Sequence, residues 1–222
     1  MPQATSPAIL TISSRNYSSW SLRGWLLARF SGIDFTEVVV SPDDPAARAE
    51  LLLLSSSILV PSLQHDDVTV WDTLAIAEYL AEIKPKAGLL PAARPARAHC
   101  RAISGEMHSG FTAMRSALPM NLRSHFPGFK VWNRAQADID RITAIWNDCL
   151  NKYGGPYLFG AKRCLADAMY APVTTRFRTY DVKLDRASYA YCDTIAALPE
   201  MREWIDTAKS EPLEFDELEA EF

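Results

Sequence analysis

Three hydroxyl side chains in a row, Tyr17, Ser18 and Ser19, fall between an apolar run, Ala8 to Ser13, and a segment of helical spacing carrying Trp25, Leu26, Arg29 and Phe30. Hydroxyl donors beside the free N–H groups of a helix start can hold a developing anion. The same residues also read as plain loop, with Ser19 or Ser21 as a helix cap. A second group lies in the stretch Ile58 to Leu80. Leu59 to Gln64 and Val68 to Trp71 are β-type runs, and Asp66-Asp67 between them is a tight turn. Asp72 or Thr73 can then cap a helix whose apolar stripe is Leu74, Ile76, Ala77 and Leu80. Pro61 has no N–H to give a ladder, and a cis bond after Val60 is one way to place it.

The elements that must position these groups follow from period and punctuation. Ala8 to Ser13 is a strand, the segment after Ser19 is a helix that stops at Gly32, and Phe35 to Val40 is a second strand, together a parallel βαβ unit. Ala46 to Leu54 reads as a short helix, after which come the hairpin and the helix at Thr73. Lys84 to Pro95, with Pro85, Gly88, Pro91 and Pro95, is a linker. Beyond it the patterns are helical: about Ala96 to Leu118, Val131 to Tyr153, Leu165 to Thr179, Ala187 to Ala197 and Pro199 to Lys209. The fold class is therefore an α/β domain of order β-α-β-α-β-β-α followed by an all-α one.

Composition bounds the function. With 222 residues, 48% hydrophobic and 23% charged, the chain supports one large or two modest cores. The net charge of −4 comes from the end: Glu211 to Phe222 holds six acids and no base, leaving 23 basic against 21 acidic residues elsewhere. That balance gives no nucleic-acid surface. No run approaches the roughly 18 apolar residues of a membrane span, and no secretory signal is visible at the start. Cys100, Cys149, Cys164 and Cys192 are scattered without metal-ligand spacing, which implies reduced thiols, a cytoplasmic setting and no metal. No phosphate loop, nucleophile elbow or His-Glu-x-x-His helix is present. The acidic tail reads as a solvated end; in the alternative, Leu213, Phe215 and Leu218 fold over the body.

Val60-Pro61, a hairpin, and then Asp72-Thr73-Leu-Ala-Ile-Ala-Glu-Tyr-Leu resemble the glutathione-binding half of the glutathione S-transferase superfamily. The resemblance implies a thioredoxin-like domain over residues 1–83, a linker over 84–94 and a helical domain over 95–222, nearly the whole chain. It implies glutathione as co-substrate. The Val60 main chain would pair with the cysteinyl part, Pro61 would be cis, and Asp72 and Thr73 would hold the zwitterionic γ-glutamyl end. Ser18-Ser19-Trp20-Ser21-x-Arg23 is similar to the Ser-Ser-Cys-Ser-x-Arg motif of the zeta class. By position Ser18 is the thiolate donor and Ser19 a second hydroxyl, with Tyr17 the rival because other classes use a tyrosine near this point.

Two positions depart from the zeta pattern. Trp20 stands at its cysteine, and Leu59 stands at the glutamine before Val-Pro, which removes a polar contact to the tripeptide. The expected function is conjugation of glutathione to small electrophiles by a homodimer. The alternatives are a glutathione-dependent isomerase or peroxidase, or a non-catalytic binding or regulatory module of the same fold. The electrophile site is expected between the first loop and the helices near Ala96 and Leu165. Met107, His108, Phe111, Met114 and Arg115 share one helical stripe, read mainly as core or dimer contacts. Arg176 and Arg178 read as a solvated face or as an attractor for an acidic substrate, and Trp132 and Trp146 as packing residues. Leu158-Phe159-Gly160 and Ala166-Asp167-Ala168 resemble the family's helix-start motif, with Cys164 where a Ser or Thr would cap. That change predicts a start weaker by about 1 kcal/mol.

Overall fold

The computed structural model describes residues 7–40 and 59–211. The helix expected over Ala46 to Leu54, and Leu213, Phe215 and Leu218, lie outside these residues. Four strands, β1 (Ala8–Ile12), β2 (Phe35–Val39), β3 (Ser62–His65) and β4 (Val68–Trp71), form one sheet in the order β2-β1-β3-β4. β1 pairs parallel with β2 through the helix α1 (Ser19–Ser31) and antiparallel with β3, which turns at Asp66-Asp67 into β4. Alternation in β1 buries Ala8, Leu10 and Ile12. These residues share a core cluster with Leu22 and Leu26 of α1 and with Ile76 and Leu80 of α2 (Thr73–Ile83). Gly32 ends α1 at φ 69°, returning its N–H to the Arg29 carbonyl.

The rest is helical among the described residues: α3 (Arg94–Ser109), α4 (Thr112–Ala117), α5 (Asn133–Tyr153), α6 (Leu165–Thr179), α7 (Arg186–Ala196) and α8 (Pro199–Lys209). The single helix expected from Ala96 to Leu118 is two. Gly110 is extended and Phe111 is left-handed at φ 58°, a turn that buries the Phe111 ring. α6 is buried from Leu165 through Phe177, the mark of a helix apolar on all sides and surrounded by others. It packs on α1, α3 and α7, so one helix of the second half forms the wall behind the first. Trp146 of α5 sits in an aromatic cage of Tyr170, Phe177 and Tyr191, whereas Trp132 is 76% exposed and does not pack as expected.

The start of α6 explains how it manages with Cys164 as cap. Asp167 is fully buried and its carboxylate accepts from the backbone N–H of Cys164 (2.8 Å), the N–H of Leu158 (3.1 Å) and the Tyr191 hydroxyl (3.0 Å). Burial raises its pKa, and these donors act against the rise. The Cys164 thiol lies 3.9 Å from that of Cys100. Burial pushes Cys149 and Cys192 up to about 12, so both remain thiols rather than nucleophiles near neutral pH. Asp167→Ala would strand three buried donors. It is expected to cost about 3 kcal/mol or more in urea denaturation, since each orphaned group is worth roughly 1–3 kcal/mol.

Candidate active site at the junction of the two halves

Ser18 is the N-cap of α1: its Oγ accepts from the Ser21 N–H (3.2 Å) and lies 2.9 Å from the Ser21 hydroxyl. Ser18 thus takes the capping role read for Ser19 or Ser21, because the helix begins at Ser19. Ser19 Oγ accepts from Arg23 Nη1 at 3.3 Å, which leaves its own O–H to point elsewhere. Tyr17 is half-buried in the same turn, which is anchored by its N–H on Ser14 Oγ at 3.3 Å. All three hydroxyl residues therefore stay grouped at the α1 start.

Opposite them is the entry to α2. Asp72 is its cap, with Oδ1 accepting from Leu74 N (2.8 Å) and Ala75 N (3.3 Å). Its φ of 75° is rare for a residue with a side chain, and such backbone persists where surrounding contacts over-determine it. One such contact reaches across from the second half: His108 Nε2 lies 2.5 Å from Asp72 Oδ2. The His108 ring also packs on Trp20, at 5.1 Å between centroids. Thr73 is 1% exposed and its Oγ1 has no hydrogen-bond partner.

The Val60–Pro61 peptide is cis. Pro61 is buried and packs on Gly24 of α1, where a Cβ would lie 2.5 Å from Pro61 Cγ and 2.6 Å from its Cβ. Only glycine lets the helix approach so closely. β3 begins at Ser62, and among the described residues no backbone hydrogen bond engages Val60. Leu59 is 62% exposed at this edge.

Trp20 packs on His108 and carries two guanidiniums on its ring. The guanidinium carbons of Arg23 and Arg115 lie 4.5 and 4.8 Å from its ring centroid. Arg176 is buried, which corrects the solvated-face reading. Arg178, two residues on and so on the opposite face of α6, is exposed and paired with Asp193. Met107, Phe111 and Met114 are buried core, and Arg115 is half-buried.

Sequence reasoning missed three residues. It read His108 with the core or dimer stripe, whereas His108 grips Asp72. Asn16 is 1% exposed and joins the first loop to the second half, donating to Asn121 Oδ1 (3.1 Å) and accepting from Leu122 N (2.7 Å). Glu211, read with the tail, accepts from Arg15 N (2.6 Å), Ser14 Oγ (2.9 Å) and Asn16 N (3.1 Å). Only Asn16 carried a signal, a buried-type loop polar residue beside a strand end.

Residues 17–83 match the family model of the glutathione S-transferase N-terminal domain, and residues 107–207 match that of the C-terminal domain. The chain belongs to the glutathione S-transferase family. Among curated proteins it is 26% identical over 171 residues to a probable maleylacetoacetate isomerase of Caenorhabditis elegans, covering 77% of this chain and 78% of that one. It is 29% identical over 188 residues to maleylacetoacetate isomerase of Mus musculus, covering 82% and 83%. A glutathione transferase homologue from Burkholderia gl BGR1, solved with bound glutathione, superposes with a TM-score of 0.71 at 22% identity over 93% of this chain and 100% of that one. Maleylacetoacetate isomerase from Anaeromyxobacter dehalogenans, solved with dicarboxyethyl glutathione and citrate in its active site, gives 0.68 at 24% over 96% of each.

The Gly24–Pro61 contact predicts that Gly24→Ala destabilises the protein by about 2 kcal/mol in urea denaturation, the usual range for overpacking. A loss under about 0.5 kcal/mol would mean that Pro61 yields freely.

Proposed function

We propose that this chain is a glutathione transferase that binds glutathione along the edge from Val60 to Thr73 and uses its thiolate against a small electrophile. The observation that carries the reading is the buried, unpartnered Thr73 hydroxyl beside the Asp72 carboxylate, at a helix N-terminus. A carboxylate and a hydroxyl at the positive end of a helix together suit a group bearing both an ammonium and a carboxylate. The chemistry supplied by bound glutathione is sulfur attack on an electrophilic carbon.

The residues of the chain do the rest. Val60 offers its main-chain N–H and C=O to an extended peptide, the mode by which a strand adds to an open edge. Asp72 keeps Oδ1 on the helix cap, so Oδ2, now against His108, is the oxygen that turns to an incoming ammonium. Ser18 and Ser19 sit where a thiolate needs donors. Ser19, its oxygen held by the Arg23 guanidinium, has the more polarised O–H. Ser18 can donate only by turning from Ser21. Leu59 contributes its backbone and no polar side-chain contact.

A glutathione-dependent isomerase is the second reading, favoured by the relatives named as maleylacetoacetate isomerases. Trp20, where the resembled motif has a cysteine, weighs against it. We place the activity in a cytoplasmic homodimer; no helix among the described residues is long and apolar enough to cross a membrane.

Calorimetric titration with glutathione tests the reading. Wild type is expected to bind, and Asp72→Ala to bind at least about tenfold more weakly, a loss of about 1.4 kcal/mol. Ser18→Ala and Ser19→Ala should keep binding but raise the pKa of the bound thiol. Ser18→Ala should also lose about 1 kcal/mol of stability with its cap. Absence of binding by wild type would sink the assignment, and binding without turnover of any electrophile would make the chain a regulatory module.

A further inference from the structure

Away from the α1 start, α3 and α5 bring three metal-ligand types to one place. His99 stands on α3, and Asp148 and Cys149 stand on α5. A His99 ring nitrogen, an Asp148 carboxylate oxygen and the Cys149 Sγ all lie within 4.8 Å of one another. Among the described residues no other group of three or more histidine, cysteine and acidic side chains comes so close together. The two helices run antiparallel here: Glu106 takes a bidentate pair from Arg141 at 2.7 and 2.8 Å, while His99, earlier on α3, meets Tyr153, later on α5.

The histidine is held as a ligand needs to be. Its Nδ1 lies 3.0 Å from the Tyr153 hydroxyl. With its proton on Nδ1 the ring donates there and turns the Nε2 lone pair toward Asp148, the arrangement that orients a metal-bound histidine. Phe159 and Tyr153 pack on the ring at 5.6 and 5.9 Å between centroids and on each other at 4.6 Å. His99 Nε2 is 3.9 Å from Asp148 Oδ2, beyond hydrogen-bond reach, so neither group satisfies the other directly. A tetrahedral zinc ion sets its nitrogen and oxygen ligands roughly 3.4 Å apart, so a closure of about half an ångström by the exposed Asp148 side chain suffices. Cys149 is buried, which puts the thiol at the bottom and the carboxylate at the mouth. Two carboxylates, Asp148 and Asp167, act on Cys149 against one ammonium, Lys152, which is exposed and lies over the Tyr153 ring at 5.6 Å.

We infer that His99 Nε2, Asp148 and Cys149 form a site for a divalent transition-metal ion, zinc by ligand type, which pins α3 to α5. Nitrogen, thiolate and carboxylate together suit zinc, whereas a hard cation such as magnesium takes oxygen ligands alone. When the ion binds, a metal–Sγ bond replaces the S–H bond of Cys149 and the proton passes to solvent. Water from the Asp148 side completes the tetrahedron. His99 lies roughly 13 Å along α3 from His108, so the ion acts on the helical frame and not on the thiol site. The ligands come from two helices far apart in the chain, which is why the cysteines alone show no metal-ligand spacing. The site stands independently of the proposed function.

Zinc and cobalt ions are the probes. The full chain, without a histidine tag, is stripped with a chelator and kept reduced with a phosphine. It is then titrated with zinc by calorimetry, with its thermal midpoint followed, and with cobalt by absorbance, where a thiolate–cobalt bond gives a near-ultraviolet charge-transfer band. Wild type should bind a single equivalent of zinc, gain in midpoint and show the band. His99→Gln and Asp148→Asn should each weaken zinc binding by about tenfold or more, and Cys149→Ser should remove the band. If Cys149→Ser does not fold, the other two variants, at side chains that reach solvent, carry the test. Excess magnesium should displace neither ion. Absence of saturable zinc binding by wild type would overturn the proposal. Wild-type affinity in folded His99→Gln and Asp148→Asn would also overturn it, because the ion would then be held elsewhere. Displacement by magnesium would do the same, because the site would then lack the thiolate.

Discussion

Helix α1 has almost no free face, and that constraint orders the molecule. Residues Ser21 to Ala28 are all buried, against the sheet on one side and α6 on the other. A helix held from both sides cannot drift, so whatever it carries is fixed in place. Its N-terminus carries Ser18 and Ser19, its first turn Trp20, and its middle Arg23 and Gly24. Arg23 is bolted to the Met169 carbonyl of α6 at 2.8 Å, while Gly24 admits Pro61 from the loop before β3. Trp25 continues the pattern toward α8, where it meets Trp204 at 5.3 Å between centroids, and gives its indole N–H to Glu37 at 2.7 Å. The junction between the halves is thus not a seam closed by late contacts. It is one buried helix that serves as the back of the first half and the front of the second.

Three of the polar contacts between the halves bear on the site. Asn16 ties the first loop to Asn121 and Leu122, and Glu211 closes on the same loop from the chain's far end. His108 closes on Asp72. All three bear on the β1–α1 loop or the α2 start. Surface ion pairs such as Arg101–Glu78 and Arg141–Glu106 are exposed and contribute little by comparison. The Asp72 carboxylate has two different oxygens as a result. One is bound into the helix cap, and the other is held only by a side chain from the opposite half.

What the sequence disclosed was what local rules govern. The turn at Asp66-Asp67, the stop at Gly32, the cap at Asp72 and the limits of α6 and α8 all follow from short-range period and punctuation. The two-part architecture and the family were legible from the Val-Pro and Asp-Thr elements together with the hairpin between them. The break at Gly110-Phe111 was not, because Met107, Phe111 and Met114 keep a plausible helical spacing through it. Burial of the Phe111 ring outweighed continuity. The His108–Asp72 pair is separated by 36 residues, beyond the reach of any periodic argument. The buried arginines left one trace: Arg23 and Arg176 each stand within apolar runs, between Leu22 and Trp25 and between Val173 and Phe177. Arg176 was read with Arg178 as a solvated face, and only Arg178 lies on one.

Trp20 is the residue on which the aromatic and cationic groups beside the α1 start converge. The motif it interrupts resembles one with a cysteine here, and a thiol at this point would be a small, weakly polar group able to take part in sulfur chemistry. An indole supplies no such chemistry. It supplies a broad face of negative potential that two guanidiniums share, at 4.5 and 4.8 Å, and an edge contact for His108. The ring, the two guanidiniums and the His108 imidazole therefore pack as one group.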